Sequence, residues 1–366
     1  MGRRERARWA GHDEVDHLLE LDRPLTADEI QTLKTQYTGV GGLVSQKWNN
    51  GQFFTPPTVV RFVHDLLDLP TQQGYVLDLG CGAGAFFEGL DDSRCCGIEI
   101  DAKALKILTH CYPNAKTIRG DAQEEFLPGL PSPLDNSFDQ VIGNPPYGLL
   151  SRYPIPAYKA GTKIRSEEIF WYLAYRACKP GGQIALILPD GVLSNTSSFP
   201  LRQWLMEHCY IRAVISLPRE TFKPTGTECK TSVIYLEKFP AGQIGAPSED
   251  YNIFMSVCEH IGWDSRCKPT GKDELPTILE RFRGKWPDPL LIGEDSEQAP
   301  HTTGTSGSAP VEMTEPAEGE LPASAPGMTQ ATPDLPSAED LAAVTIVATP
   351  TGPAIAQPTQ GQLRLF

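Results

Sequence analysis

Short apolar runs that alternate with longer segments between residues 51 and 240 constrain the fold of this chain most strongly. Runs of this length predict buried strands, and the segments between them are long enough for helices. Strands that are joined through helices form a parallel sheet covered on both faces. The expected fold class is therefore α/β with a doubly wound sheet, built on the runs YVLDLG, CCGIEI, FDQVIG, GQIALILP and RAVISLP.

The last apolar run, KTSVIYLEKF at residues 230–239, departs from that pattern. It follows RAVISLP after a short connection that contains glycine and proline, so no crossover helix has room between the two runs. Consecutive strands without a crossover pair antiparallel. We therefore expect a mostly parallel sheet whose last strand is antiparallel.

Changes in composition predict three segments before the C-terminal part of the chain. Residues 1–50 form a polar N-terminal helical segment, in which Thr26 and Glu29 have the spacing of a helix capping box. Residues 51–240 form the α/β domain, and residues 241–293 form a small C-terminal appendage.

The remaining residues, 294–366, are dominated by Pro, Ala, Gly, Ser, Thr and Glu, and we expect a disordered C-terminal tail. This segment carries 10 of the 46 acidic residues and 1 of the 32 basic residues. The rest of the chain therefore has a net charge of only −5, although the total is −14. A nearly neutral domain can hold a basic cleft, so the total charge does not exclude a nucleic-acid partner.

The nine cysteines include no Cys-x-x-Cys pair, and two of them are adjacent. This usage is typical of reduced thiols in the cytoplasm, and it predicts neither a disulfide framework nor a metal site. The first residues lack the apolar stretch of a signal peptide, and no apolar run approaches the ~20 residues that span a bilayer. We expect a cytoplasmic protein without membrane contact.

Three glycines follow the first predicted strand directly, in the sequence VLDLGCGAGAFF. Gly80 and Gly82 allow the backbone to turn tightly and to approach a nucleotide-like ligand closely. The alternative is a tight turn with a purely structural role. Asp78 precedes them, and its carboxylate would accept from an amine but repel a pyrophosphate. Glu99 ends the next strand, where it can accept both ribose hydroxyls. Together these residues favour S-adenosylmethionine over NAD as the cofactor.

The sequence GNPPYG follows another predicted strand and is expected beside the glycine turn. Pro145 and Pro146 fix the backbone and lack N–H donors, so their carbonyl groups can only accept hydrogen bonds. Asn144 adds a side-chain carbonyl, and Tyr147 adds a flat aromatic face. This arrangement is suited to gripping a planar amino group, and the alternative is an ordinary Asn-Pro turn.

GNPPYG and LDLGCGAG together resemble the motifs of DNA methyltransferases that act on the N6 amino group of adenine. The upstream sequence GQFFTPP is similar to that of modification subunits of type I restriction systems, and the resemblance covers roughly residues 36–285. It implies a class I S-adenosylmethionine methyltransferase fold and places Phe222 against a flipped base. It also implies that the cofactor is held by Thr55, Pro56, Asp78, Gly80, Gly82, Glu99, Ile100, Asp121 and Ala122, and that Asn144, Pro145, Pro146 and Tyr147 are catalytic.

The NPPY motif also occurs in methyltransferases that act on RNA or on a protein glutamine, and an inactive DNA-binding accessory subunit is a third interpretation. The upstream GQFFTPP favours DNA. An adenine must leave the duplex before its amino group can be methylated. Direct transfer needs no covalent intermediate, so Cys81 is expected to be a packing residue.

The segment after the motif contains Lys159, Lys163 and Arg165, interleaved with Tyr153 and Tyr158. Basic and aromatic residues beside an active site predict a flap over the DNA backbone, and a solvated surface loop is the alternative.

Only about fifty residues separate Phe239 from the predicted tail, which is little for a domain that recognises a DNA sequence. A partner such as a specificity subunit or a restriction enzyme, or a very short target, would explain this. The chain ends in GQLRLF, which resembles the peptide that docks on the bacterial sliding clamp. The resemblance rests on Gln362, Leu363, Leu365 and Phe366.

Overall fold

The computed structural model describes residues 13–37, 54–225, 228–243, 245 and 251–285. The predicted tail at 294–366 and its terminal peptide lie outside these ranges.

Eight of the twelve strands in the described ranges form one sheet, and the other four form two small ribbons. The sheet contains β1 (Val76–Leu79), β2 (Cys95–Glu99), β3 (Lys116–Arg119), β4 (Phe138–Gly143), β7 (Cys178–Pro189), β8 (Cys209–Ser216), β9 (Thr231–Lys238) and β10 (Phe254–Val257). One ribbon pairs β5 (Leu150–Ser151) with β6 (Ile164–Arg165), and the other pairs β11 (Ile261–Trp263) with β12 (Pro269–Asp273).

The strand order is β10-β8-β9-β7-β4-β1-β2-β3. Strands β3, β2, β1, β4 and β7 are parallel, whereas β9 runs antiparallel to both of its neighbours, β7 and β8. The prediction of a mostly parallel, doubly wound sheet with an antiparallel strand beside RAVISLP is confirmed. Strands β3 and β10 were not among the apolar runs of the sequence, because these short edge strands alternate buried or half-buried with exposed residues.

Helices cover this sheet, and their bounds are α1 (Ala27–Gln36), α2 (Pro57–Leu66), α3 (Ala102–Cys111), α4 (Ala122–Glu125), α5 (Ser166–Ala177), α6 (Gly191–Ser194), α7 (Phe199–Met206) and α8 (Leu275–Lys285). Helix α5 packs on β1, β4 and β7, and α2 packs against α8. Apolar residues of α2 and α8 share one buried cluster with residues of the sheet, such as Ile142 and Ile187. Within the described ranges, no helix is long and apolar enough to cross a membrane.

The N-terminal part contains a helical stretch at residues 13–19 followed by α1. Thr26 caps α1 and forms the predicted capping box with Glu29. Buried Val15 and Leu33 pack with Ile107 of α3, which ties this part to the sheet domain.

The sheet continues past residue 240, where the sequence predicted the end of the α/β domain. Strand β10 pairs in parallel with β8, and the ring of Phe254 lies 5.4 Å from that of Phe282 in α8. The described residues of 241–293 thus share the core of the domain, and the boundary at 240 stays a prediction from composition.

Candidate active site

A cavity of about 570 Å³ opens at the carboxyl ends of β1, β2 and β4. Parallel strands direct their C-terminal loops to one edge, which is where ligands bind in sheets of this kind. Polar side chains from the ends of four strands line the cavity: Asp78 in β1, Glu99 in β2, Asp121 after β3 and Asn144 after β4.

The glycine turn connects β1 to β2 through backbone hydrogen bonds. The N–H groups of Gly80 and Cys81 donate to the Ile98 carbonyl at 2.8 and 3.1 Å. Gly80 and Gly82 have φ angles of +86° and +56°, in the left-handed region that glycine adopts at little cost. The backbone therefore forms the floor of the cavity without side chains that would occupy it.

Asp78 is the most constrained charged group of the cavity. It is 1% exposed, and its Oδ1 atom has no hydrogen-bond partner in the described part of the chain. Burial, assisted by the nearby charge of Glu99, raises the pKa of Asp78 well above its usual value. A Cβ atom at Gly143 would lie 2.5 Å from Oδ1, so the close approach requires glycine there. A ligand amine would supply the missing donor.

Glu99 is oriented by backbone N–H groups of the loops around it. Its Oε2 accepts from Gly82 and its Oε1 from Asp101, both at 2.8 Å. Burial raises the pKa of Glu99, and these hydrogen bonds oppose that rise. A carboxylate oxygen can accept more than one hydrogen bond, so the Glu99 carboxylate is suited to accept from ribose hydroxyls as well.

Three further residues predicted to hold the cofactor lie along the same wall. The side chain of Ile100 is 62% exposed and lines the cavity. Asp121 caps α4 by accepting from the Gln123 N–H at 2.9 Å, and it lines the cavity together with Ala122.

The NPPY turn approaches the cavity from β4. The Asn144 amide donates to the Thr55 hydroxyl at 3.1 Å, across 89 positions of the chain. The Asn144 side-chain oxygen accepts from the Tyr147 hydroxyl, which also lies 2.9 Å from the Ile187 carbonyl. Burial raises the pKa of Tyr147 well above its usual value, so the phenol stays protonated. Pro56, directly after Thr55, is the N-cap of α2.

The family model described as N-6 DNA Methylase matches residues 43–95 and 99–280. The chain belongs to the N-6 DNA methylase family. It is 25% identical over 315 residues to the EcoEI type I restriction enzyme methylase subunit of Escherichia coli, covering 78% of this chain and 60% of that one. It is 35% identical over 217 residues to the type II methyltransferase M.TthHB8I of Thermus thermophilus, covering 54% and 43%.

Among solved structures, the fold matches a modification subunit of a type I restriction enzyme from Vibrio vulnificus. The TM-score is 0.51 at 17% identity, and the match covers 73% of this chain and 58% of that one. The likeness concerns the fold, and this N-6 DNA methylase spans only about 60% of the EcoEI subunit.

Phe222, which is predicted to stack on a flipped base, is not among the residues that line the cavity. The ring is fully buried in the core cluster, which also contains Leu217 and Val233. The short 3₁₀ segment that carries it, Arg219–Thr225, is held by the Trp263 indole, which donates to the Glu220 carbonyl at 2.8 Å. The ring therefore packs in the core in this structure, and its role as a stacking surface for a flipped base stays a prediction.

The basic loop, defined here as residues 152–165, differs from the interleaved flap that its sequence suggested. Its cations Lys159, Lys163 and Arg165 are exposed. Its two tyrosines point inward, however: Tyr153 is buried and donates to the Phe126 carbonyl, and Tyr158 donates to Glu168 at 2.7 Å. The loop thus presents charge, while its aromatic residues anchor it.

Several residues at the cavity were not predicted from the sequence. Phe54, Asp101, Ser166 and Phe170 line it, and Ser166 contacts the NPPY turn directly. For Ser166, the polar residues SEE at the start of α5 were the only indication in the sequence, and they are a weak one. Cys81 is buried with a raised thiol pKa, in agreement with a packing role.

Proposed function

We propose that this N-6 DNA methylase transfers a methyl group from S-adenosylmethionine to the N6 amino group of adenine in DNA. The observation that carries the proposal is the NPPY turn with its Asn144 side chain oriented at the wall of the Asp78 cavity. An acceptor for a planar amine therefore lies beside a site for a cationic, ribose-containing ligand.

The residues of the cavity are suited to S-adenosylmethionine. The unpartnered carboxylate oxygen of Asp78 matches the ammonium of the methionine part, and the Glu99 oxygens match the ribose hydroxyls. Exposed Ile100 offers an apolar surface to the adenine ring, and Asp121 offers an acceptor to its amino group. When bound, this cofactor supplies an electrophilic methyl group on a positively charged sulfur.

On the acceptor side, Asn144 Oδ1 and the Pro145 carbonyl would accept the two hydrogens of the target amino group. Accepting both hydrogens holds the amine in place with its lone pair turned toward the methyl donor. The Thr55 hydroxyl fixes the Asn144 amide, so the carbonyl end points in one direction. Holding the two reactants in attack geometry is expected to supply most of the rate gain.

DNA is the proposed substrate because of the relatives and because of the charge of the basic loop, which ends directly before the cavity residue Ser166. Exposed Lys159, Lys163 and Arg165 can neutralise phosphates. The adenine would flip out of the duplex, which costs a few kcal/mol of unstacking, and base–aromatic stacking with Tyr147 would return ~1–3 kcal/mol. The alternatives are RNA or a protein glutamine as substrate, or an inactive accessory role.

The test is a radiolabelled methyl-transfer assay on genomic DNA that lacks N6-methyladenine, with RNA and protein extract in parallel arms. Methylated nucleosides are then identified by mass spectrometry. Asn144→Ala is expected to abolish transfer while cofactor affinity stays within about tenfold, because Asn144 faces the amine rather than the cofactor. Label in RNA or protein alone would replace DNA as the substrate, and no transfer in any arm would favour the accessory role.

We further propose that a partner supplies sequence recognition. Beyond β9, the described chain adds only β10, the ribbon of β11 and β12, and α8. The EcoEI relative is a subunit of a type I restriction enzyme, and this chain covers only 60% of it. Co-purification from the host with a specificity subunit or a nuclease would support the proposal. Site-specific methylation by the purified chain alone would refute it.

The C-terminal peptide is proposed to dock on the bacterial sliding clamp. Gln362 would bind at a pocket rim, and Leu363, Leu365 and Phe366 would fill apolar pockets, with ~1.5–3 kcal/mol for each buried large side chain. Binding of the clamp to a peptide of residues 355–366 is expected at micromolar affinity, and loss of binding after Gln362, Leu365 and Phe366 are changed to Ala is the control. Equal binding of both peptides would exclude this partner.

A further inference from the structure

The first turn of α5 carries three buried polar side chains next to the catalytic turn. Ser166, Glu167 and Glu168 are 2%, 4% and 4% exposed. Adjacent buried carboxylates are rare in protein interiors. The positive end of the helix macrodipole favours them here, since both lie in the first turn of a twelve-residue helix.

Ser166 and Glu167 both bind the backbone of the NPPY turn and the residues just after it. The Ser166 hydroxyl donates to the Pro146 carbonyl at 2.7 Å, and it accepts from the Leu149 N–H at 3.2 Å. The Gly148 N–H donates to Glu167 Oε2 at 2.8 Å, directly after Tyr147. The Ser166 N–H completes the set by donating to the Leu149 carbonyl at 2.7 Å.

Glu168 faces a different loop. Its Oε2 accepts from the Tyr158 hydroxyl at 2.7 Å, and its Oε1 accepts from the Ser198 hydroxyl. Tyr158 Oη also lies 3.1 Å from the Ser197 carbonyl. Tyr158 belongs to the basic loop, one position before Lys159, so this contact fixes the backbone that presents the exposed cations.

We propose that Ser166 and Glu167 are positioning residues for the catalytic turn, and that Glu168 positions the basic loop through Tyr158. The inference rests on the methyl transfer to DNA proposed above. Two neighbouring carboxylates of one helix turn thus have different roles. Glu167 positions the turn that holds the target amine, and Glu168 positions the loop whose cations bind the DNA backbone.

The two roles predict different kinetic defects. Glu167→Ala removes the acceptor for Gly148 and loosens Asn144 and Tyr147, so kcat should fall roughly 10–100-fold, as expected for a misplacement of about 1 Å. The KM for DNA should stay within about threefold, because the exposed cations are unchanged. Glu167→Gln keeps an acceptor oxygen and should restore kcat to within about threefold of the wild type.

Tyr158→Phe is the matched variant on the basic loop. It removes the hydroxyl that donates to Glu168 and changes no charge. We expect the KM for DNA to rise about three- to tenfold while kcat stays within about twofold. The assay uses the full chain and genomic DNA without N6-methyladenine as the probe. Thermal unfolding of each variant accompanies it.

Amide hydrogen exchange of the full chain provides a readout that does not depend on activity. Glu167→Ala should accelerate exchange at Gly148 and Leu149, and Tyr158→Phe should accelerate it within residues 157–163, with other peptides unchanged. This pattern supports the assignment even if the wild type methylates no DNA, an outcome that would count against the proposed function alone.

The inference is overturned if Glu167→Ala leaves kcat within twofold of an active wild type, or if both variants change kcat and KM together. Should Glu167→Ala fail to fold, Ser166→Ala takes its place. That variant loses the hydrogen bond to the Pro146 carbonyl and should lower kcat at least about fivefold at unchanged KM for DNA. Unchanged kcat in Ser166→Ala would likewise overturn the inference.

Discussion

Replacing Asp78 by Asn should stabilise the cofactor-free protein and at the same time weaken cofactor binding. The native carboxylate is 1% exposed, and its Oδ1 lacks a partner within the described chain. Its raised pKa shows that burial disfavours the charged form. An amide of the same shape carries no charge to desolvate, but it also offers no negative charge to a ligand ammonium.

The magnitudes follow from these two features. An unsatisfied buried polar group costs ~1–3 kcal/mol, and more when it is charged. Because the amide of the Asp78→Asn variant would keep a polar atom at this place, only the part of the cost that comes from the charge is relieved, and we expect a gain of about 1 kcal/mol in the free energy of unfolding. For a domain of this size, each kcal/mol raises Tm by about 2–4 °C. A hydrogen bond to a charged group contributes ~1.5–3 kcal/mol, so the Kd for S-adenosylmethionine should rise about 10–150-fold.

The gain in stability should depend on pH with a definite sign. The folded protein holds the Asp78 proton more tightly than the unfolded chain, whose carboxyl has a pKa near 3.8. The stability linked to this proton is therefore present below pH 3.8 and lost as pH rises through the folded-state pKa. The advantage of Asp78→Asn should grow from acidic toward neutral pH, where the native carboxylate is most costly.

The change in stability is measured by calorimetric unfolding of both proteins without cofactor between pH 5 and 8. The change in affinity for S-adenosylmethionine is measured by titration calorimetry. A destabilised Asp78→Asn protein would show that Asp78 has a partner that stabilises its charge, which contradicts the reasoning. Unchanged affinity for S-adenosylmethionine would remove Asp78 from the cofactor site.

The remaining predictions concern the acceptor side and the DNA. Tyr147→Phe should keep measurable methyl transfer, because the ring and Asn144 remain; a loss as complete as that of Asn144→Ala would assign the hydroxyl an essential role. Changing Lys159, Lys163 and Arg165 together to Gln should lower DNA affinity and flatten its salt dependence, and an unchanged slope of log Kd against log salt would indicate a solvated loop. Phe222→Leu should lower the free energy of unfolding by about 1 kcal/mol, in keeping with a conservative exchange in a packed core. Its 2-aminopurine fluorescence on DNA binding tests the predicted stacking role, because a weaker signal supports that role and an unchanged signal removes Phe222 from the site.

The residues at the carboxyl ends of the strands could be predicted from the sequence, because a strand that ends in a polar residue or glycine marks the edge of the sheet. Asp78 and Glu99 lie near the ends of apolar runs, Asn144 follows one directly, and all three line the cavity. The antiparallel place of β9 was predictable for a similar reason, since the length of a connection limits the topology.

Contacts between distant segments could not be predicted in this way. Ser166 binds Pro146 across 20 positions, and the contact depends on how α5 packs on the sheet. The inward direction of Tyr153 and Tyr158 depends on loop conformation rather than on composition. For Phe222, an aromatic residue near a motif has the same sequence signature whether it faces a ligand or the core, and tertiary packing decides between them.

The hydrogen bonds of the NPPY turn indicate how a base could enter without leaving a buried acceptor unsatisfied. In this structure the Asn144 oxygen accepts from the Tyr147 hydroxyl, and the same hydroxyl lies 2.9 Å from the Ile187 carbonyl. A hydroxyl donates one hydrogen, so it serves one of these acceptors at a time. When an adenine amine donates to Asn144, the hydroxyl can rotate to Ile187. The exchange replaces one hydrogen bond by another, which avoids the ~1–3 kcal/mol that an unsatisfied buried group costs. Tyr147 would then act both as a stacking surface and as the group that holds Asn144 ready before the base arrives.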